Sequence, residues 1–567
     1  MSARPITTPT PRPAGAPARA REAPRGRRRS WRIATALIAA FVVVPVAVVA
    51  SSVLTPDREV WRFLWQTGLA RMVGATIVLM FGVVAGTLVL GGGLAWLVAA
   101  YRFPGRRVFS WLLVLPMAVP SYVLAFVSVY LLDAPGPLQT ALRSVLGIDV
   151  RIAPRGIALA VLVMSVALYP YVYLLARAAL TEQAAVTYGA ARTLGLGPAQ
   201  AAWRVVLPMA RPSLAAGGAL VAMETLTDFA TIQYFNVETV SVAVYQVWNG
   251  MFDRAAATEL AAIVLVFAVT VIAVERALRG RARYDQRGGH GPRVAPVTLT
   301  GWSRWAASGL CALIVGVGFV VPALRLLGWS SLSVIGGSAG GFDPRYLSYL
   351  GNSVLVAALT ALLCVAAAGV VVNAVRLTPD RATRGLARLA TIGYAVPGPV
   401  VAIGTLLVLA GIDAALDLAG LDLGATLITG SLVGLIAAYV VRFLAPATNS
   451  LEASLDKVTP AMTMSALTLG ASPGRVVRQI HLPLIRSGLG VGLVLVAVDA
   501  LKELPVMLLL RPFGFSTLAV WVYELASESL WDLVGLPALT IVAVAALPVV
   551  ALFRGTLRVA EANGGDA

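Results

Sequence analysis

Apolar runs separated by short polar breaks set the pattern of this chain from residue 33 to residue 553. Twelve runs are long enough to cross about 30 Å of hydrocarbon as helices. They lie near residues 33–53, 72–100, 110–131, 157–176, 213–233, 258–275, 305–324, 352–375, 389–411, 425–441, 487–509 and 533–553. The pattern predicts an all-α polytopic membrane protein of about twelve transmembrane helices.

The breaks give the topology. With the N-terminus inside, 34 of the 45 Lys and Arg fall on the inner side and 11 on the other, so the positive-inside rule puts both termini in the cytoplasm. Arg102 and Arg376 close the second run of each half and read as snorkelling anchors. The stretch "RRRSWRIATALIAAFVVVPVAVVASS" imitates a signal peptide, but its apolar core exceeds an ordinary h-region and eleven runs follow it. It reads as the first span.

Composition sharpens this picture. With 58% hydrophobic residues, 13% charged residues and a mean hydropathy of +0.83, a soluble domain is excluded. The net charge of +18 would suit nucleic acid only on a basic face of a folded soluble domain, so no nucleic-acid partner is expected. Residues 1–30, rich in Arg, Pro and Ala, form a disordered basic cytoplasmic tail placed to touch anionic lipid. Cys311 and Cys364 read as buried thiols, and with His290 and His481 they are too scattered for a metal site or disulfide.

The chain repeats itself once. "GAARTLGLGPAQAAWRVVLP" (189–208) returns as "MSALTLGASPGRVVRQIHLP" (464–483) at an offset of 275, with identities clustered at Gly and Pro. "AVPSYVLAF" (118–126) returns as "AVPGPVVAIG" (395–404) at an offset of 277. The domains are a first repeat at 31–280 with its loop at 182–211, a cytoplasmic linker at 281–300, and a second repeat at 301–560 with its loop at 457–486. Each half begins inside and holds six runs, so the repeats are parallel, related by an axis along the membrane normal.

The repeated stretch predicts a helical hairpin on the cytoplasmic side between the fourth and fifth runs. Gly195 and Gly470 supply a left-handed C-cap, and Pro198 and Pro473 begin the next helix. The second helix is amphipathic and carries Arg204 in one copy and Arg475 and Arg478 in the other. A short helix lying across the mouth of a membrane domain suits docking into a partner's groove through small residues such as Ala190, Ala191 and Ala466. The bland reading is an interfacial helix pair on lipid.

The spacing Gly-x9-(Val/Ile)-x-Leu-Pro resembles the EAA loop of ABC importer permeases, the element that engages their ATPases. The resemblance implies ATPase-coupling positions at Gly189, Ala190, Ala191, Gly195, Val205, Leu207 and Pro208, and at Met464, Ser465, Ala466, Gly470, Ile480, Leu482 and Pro483. The family's glutamate is replaced by Gly189 and Met464, so its contact cannot be carried over. "YPYVYLLARAAL" (169–180), "METLTDFATIQYFNVETVSVAVYQVW" (223–248) and "KELPVMLLLRPFGFSTLAVWVYELAS" (502–527) resemble the fused two-domain ferric-iron permeases. Thiamine, phosphonate and polyamine permeases share that scaffold.

No G-x4-G-K-[ST] loop occurs in the chain. The chain is therefore expected to be no enzyme and to bind no cofactor itself, with ATP and magnesium on a separate ATPase present in two copies. A solute-binding protein is expected outside, and the prokaryotic inner membrane is the expected location.

Glu224 and Asp228 match Asp499 and Glu503 at the offset of 275, each pair at i, i+4, which on a continuous helix sets both acids on one face. Acids at mid-membrane face a bundle interior or a watery cavity. Four of them would line a pathway for a hard cation such as ferric iron, for which carboxylate oxygen is the matching ligand type. The rival reading is structural, with Lys502 neutralising Glu503 or an acid across the axis. The aromatics Tyr234, Phe235, Tyr245, Trp248 and Phe252 read as an interfacial belt or a binding-protein dock. Twelve spans in two parallel halves also suit a proton-coupled secondary transporter, which the duplicated loops argue against. A membrane-embedded enzyme would need a convergent His/Asp or Ser/His site, and none is found.

Overall fold

The computed structural model describes residues 25–562 apart from 53, 55, 148–153, 183–190, 192, 202–203, 206, 252, 280–296, 336–342 and 421–428. Among the described residues, ten helices are long and apolar enough to cross a membrane. In the first half these are the first span Arg29–Ser52, the second Leu69–Ala100, the third from Ser121, the fourth Ile157–Leu180 and the sixth Arg254–Leu278. In the second half they are Trp302–Leu332, Pro344–Leu377, Gly398–Leu418, Leu432–Leu455 and Trp531–Val550.

The remaining two predicted runs are the fifth of each half, Leu207–Thr227 and Arg486–Lys502. Arg211, Glu224 and two prolines dilute the apolar composition of the first, while the second is 17 residues long and meets the hairpin helix Pro473–Leu484 at a bend of 74°.

Proline moves two predicted boundaries. The third runs were expected to begin at 110 and 389, but the spanning helices start at Ser121 and Gly398. Pro120 and Pro397 precede those starts with matched backbone angles, φ −55° and −56° with ψ 142° at both. A short 3-10 turn comes before each, Leu115–Ala118 and Ile392–Ala395. Proline is pre-set for a helix entrance and cannot donate within a preceding helix.

The two halves interlock through their first spans. The first-half first span packs on the third span of the second half, where a Cβ on Gly404 would lie 2.2 Å from the carbonyl oxygen of Pro45. Reciprocally, a Cβ on Gly318 would lie 3.0 Å from Pro116 and 3.1 Å from Val166 of the first half. The absent side chains let backbone approach backbone, as small residues do between helices in lipid. One apolar core consequently runs through both halves, with Phe126, Phe229, Val400 and Val506 fully buried in it. Cys311 and Cys364 are buried free thiols, as expected.

Two expectations at the edges need correction. Helix already begins at Arg25, inside the predicted tail of residues 1–30, while residues 1–24 lie outside the described residues. The linker at 281–300 is tied down at its end: Val297–Thr298 pairs in parallel with Tyr101–Arg102, and Leu299 N donates to Arg102 O at 3.0 Å. Residues 281–296, with His290, lie outside the described residues. This pairing satisfies the backbone of Arg102, which is therefore strand and not the free end of a helix.

Candidate functional site

Both fifth helices break at their acids. Leu207–Thr227 ends one residue before Asp228, and Arg486–Lys502 ends one residue before Glu503, which is extended at φ −68°, ψ 122°. The pairs expected on one helix face are therefore split by a break, because the second acid of each has a different task. Asp228 caps the short helix Phe229–Tyr234, accepting from Thr231 N at 3.0 Å, and Glu503 Oε1 accepts from Val506 N at 3.1 Å at the start of Pro505–Leu510. A helix start inside hydrocarbon leaves N–H groups that water cannot satisfy, so an acceptor must come from the chain. "KELPV", with proline one residue past Leu504, carried that signal.

The break brings all four acids to one place. Glu224, Asp228, Asp499 and Glu503 line a cavity of about 100 Å³ between the halves, together with Arg442, Lys502, Tyr122, Tyr171 and Tyr394. Lys502 Nζ lies 2.9 Å from Asp499 Oδ1 on the same helix, so its partner is Asp499 and not the predicted Glu503. Glu503 pairs instead with Arg442, Nε to Oε2 at 3.1 Å, both side chains being buried. Arg442 escaped the sequence reading because it directly follows the run at 425–441 and reads there as a boundary charge. Together with Lys502 it leaves the surface count, without disturbing the asymmetry of the remaining Lys and Arg.

The charge of this pocket is unevenly placed. Both cations come from the second half, whereas positions 167 and 227 of the first half, matching Arg442 and Lys502, are Ala and Thr. Asp228 also accepts from the hydroxyls of Thr231, at 2.5 Å, and Ser121. These neutral donors bring no counter-charge. No hydrogen bond or ion pair holds the Glu224 carboxylate among the described residues. With two acids matched by two cations, Glu224 and Asp228 give the first-half wall a formal excess of two negative charges. No group of three or more His, Cys, Asp or Glu is placed to hold a metal among the described residues.

The hairpins keep the repeat down to single hydrogen bonds. Gly195 and Gly470 both stand at φ +89°. Leu196 N donates to Ala191 O at 3.1 Å, and Ala471 N donates to Ala466 O at 3.0 Å. This is the closing bond of a left-handed C-cap. Leu194 and Leu469, one residue before each glycine, are 84% and 87% exposed, so each turn pushes an apolar side chain outward. Met464, Ser465, Leu482 and Pro483 are also exposed, Ala466 and Ile480 are half-buried, and Leu207 and Pro208 stand at the end of the first hairpin with half-buried Val205. Ala191 is buried, which removes it from a docking face; Gly189 and Ala190 lie outside the described residues.

The aromatic cluster is core and not belt. Phe235 is fully buried, Phe229 stacks on Tyr245 with centroids 4.4 Å apart, and Tyr234 O–H donates to Tyr523 O of the other half at 3.2 Å. Trp248 packs on the same core, and Phe252 lies outside the described residues. Arg376 is likewise no free anchor, since its guanidinium donates to Val458 O.

Comparison with known proteins agrees with this architecture. Residues 90–284 match the family model described as "Binding-protein-dependent transport system inner membrane component". The Fe(3+)-transport system permease protein FbpB 2 of Haemophilus influenzae is 26% identical over 489 residues, covering 86% of this chain and 90% of that protein. The sulfate transport system permease protein CysT of Salmonella typhimurium is 30% identical over 199 residues, 34% of this chain and 70% of its own length. The molybdenum transport system permease protein ModB of Escherichia coli is 29% identical over 171 residues, 30% of this chain and 71% of its own length.

Proposed function

This chain belongs to the family of binding-protein-dependent transport system inner membrane components, the permeases of ABC importers, and from that premise we propose that it forms a whole translocation pore for ferric iron. The observation that carries the cargo is the formal excess of acids in the pocket, four carboxyl groups to two cations, with Glu224 and Asp228 outside both ion pairs. An oxyanion such as sulfate or molybdate would need the opposite excess, because in a low-dielectric site unpaired like charge is strongly repulsive. Similarity along most of the chain to a Fe(3+)-transport permease supports the same reading.

In this reading two copies of an ATPase engage the two hairpins in the cytoplasm, through Leu194 and Leu469 and the neighbouring small residues, and carry the ATP and magnesium. A solute-binding protein docks at the other face. Closure of the ATPase pair draws the hairpins together and opens the outer side, so that the pocket alternates between the two faces. Both termini are cytoplasmic. Cysteine labelling in intact cells checks the orientation: a cysteine at Gly197 or Ser472 should react only from inside, and one at Asn236 only from outside. Outside labelling of either hairpin would reverse the topology.

The cargo is tested by uptake of radiolabelled iron, sulfate, molybdate and polyamine in cells expressing the chain with its neighbouring transport genes. Iron alone should accumulate. Glu224→Gln keeps the shape of a side chain that holds no hydrogen bond, and it should lower iron uptake about tenfold at unchanged protein abundance, as expected for loss of one close charge. Accumulation of another solute, or full iron uptake by Glu224→Gln, would overturn the ferric reading.

A further inference from the structure

The two hairpins are not attached to the membrane helices in the same way. The second half's second span, Pro344–Leu377, ends against its hairpin. Asn373 Oδ1 lies 2.6 Å from His481 Nδ1, and Thr463 Oγ1 lies 3.0 Å from His481 Nε2. His481 is fully buried, and Asn373 and Thr463 are each 3% exposed. Asn373 Nδ2 donates to Gly369 O at 2.7 Å, which turns the amide oxygen toward the ring. The imidazole must then carry its proton on Nδ1 and accept from the threonine hydroxyl at Nε2. Burial and the Arg376 guanidinium hold its pKa below the ordinary histidine value, which keeps the ring in that neutral form.

This relay holds both arms of the hairpin at once. Thr463 belongs to the first arm, Pro460–Thr468, and His481 to the second, which leaves the fifth span at the 74° bend. Arg376, one turn beyond Asn373, grips Val458 O where the chain enters the hairpin. The first half lacks the parts: the position matching His481 is Val206, and three residues before Arg102, where Asn373 precedes Arg376, stands Ala99. There the end of the second span bonds to Val297–Leu299 of the linker instead.

We propose that His481 is a positioning residue that locks the second hairpin to the second-half second span, making those two a single moving body, while Val206 and Ala99 deny the first hairpin this histidine–amide pair. The asymmetry sends motion at the second hairpin straight into the second span, whose side chains pack on the fourth and fifth spans that carry Arg442, Asp499 and Lys502. This consequence for coupling rests on the importer reading; the lock itself does not.

The test compares the full-length protein in lipid nanodiscs with His481→Leu, Asn373→Leu, their double variant and Thr463→Val. Hydrogen exchange should quicken about tenfold across residues 460–484 in either leucine variant, because removing one partner strands another in a buried site. The double variant should be no worse than the worse single, as for members of one network. Thr463→Val removes only a hydroxyl and keeps the test usable if a leucine variant does not fold. Exchange at the first hairpin should not change. Unchanged exchange at 460–484, or additive effects of the two leucines, would overturn the lock. With an ATPase co-assembled, solute moved per ATP should fall in His481→Leu while hydrolysis continues, and an unaltered ratio would overturn the coupling consequence. A wild-type protein that retains no ATPase would sink the importer reading and leave the exchange result standing.

Discussion

Arg442→Met should strip the membrane of most folded protein. The guanidinium is 6% exposed and its partner Glu503 7% exposed, so the variant leaves a carboxylate in a low-dielectric interior with no counter-charge. Breaking such a pair from one side costs about 3–5 kcal/mol, a large part of the roughly 5–15 kcal/mol by which folded proteins are stable. Adding Glu503→Gln should restore abundance, since an amide oxygen can still accept from Val506 N at the helix start. Lys502→Met should do less, because Lys502 and Asp499 are 20% and 21% exposed and face the cavity, where water can solvate the acid left behind. The measurement is fluorescence-detected size-exclusion of detergent extracts for the four proteins. Wild-type yield of Arg442→Met, or no rescue by Glu503→Gln, would show that the pair does not hold the pocket together.

The second large effect is expected at the turns. Gly195 and Gly470 both lie at φ +89°, and a Cβ at either would meet nothing within 4 Å. The cost of a side chain there is purely conformational, about 1–2 kcal/mol for a left-handed residue and more when it is β-branched. Gly195→Val and Gly470→Val should therefore insert and fold normally while each re-aims one exposed leucine, Leu194 or Leu469. ATPase co-purification and uptake should fall about tenfold in each single variant and further in the double. Full uptake by the double variant would mean that the hairpins are not where the ATPase binds.

Most of the scaffold is legible in the sequence. Twelve apolar runs, the 275-residue period and the Gly and Leu-Pro landmarks were enough to place two parallel halves and a hairpin in each, and the matched φ of Gly195 and Gly470 follows from residue type. The pocket was half legible. Its four acids stand out in the sequence, but a shared face requires a continuous helix, and the capping duties of Asp228 and Glu503 end that helix. Arg442 looked like a boundary charge because hydropathy reports where a run stops, not what the next residue meets. His481 reads in the sequence only as one of two scattered histidines, too few for a metal site, although its hydrogen bonds need only Asn373 and Thr463.

What the sequence by itself determined is everything that depends on near neighbours along the chain: which segments can live in lipid, where glycine and proline turn them, and that the turns occur twice. Those follow from transfer energies and backbone sterics, which act residue by residue. The tertiary structure alone decided that each first span crosses to the other half, that Arg442 takes Glu503, and that Asn373 and Thr463 meet at His481. These are choices among partners distant along the chain. In a dry interior they are settled by which charges and donors the packing brings within about 3 Å, where a partner is worth far more than in water.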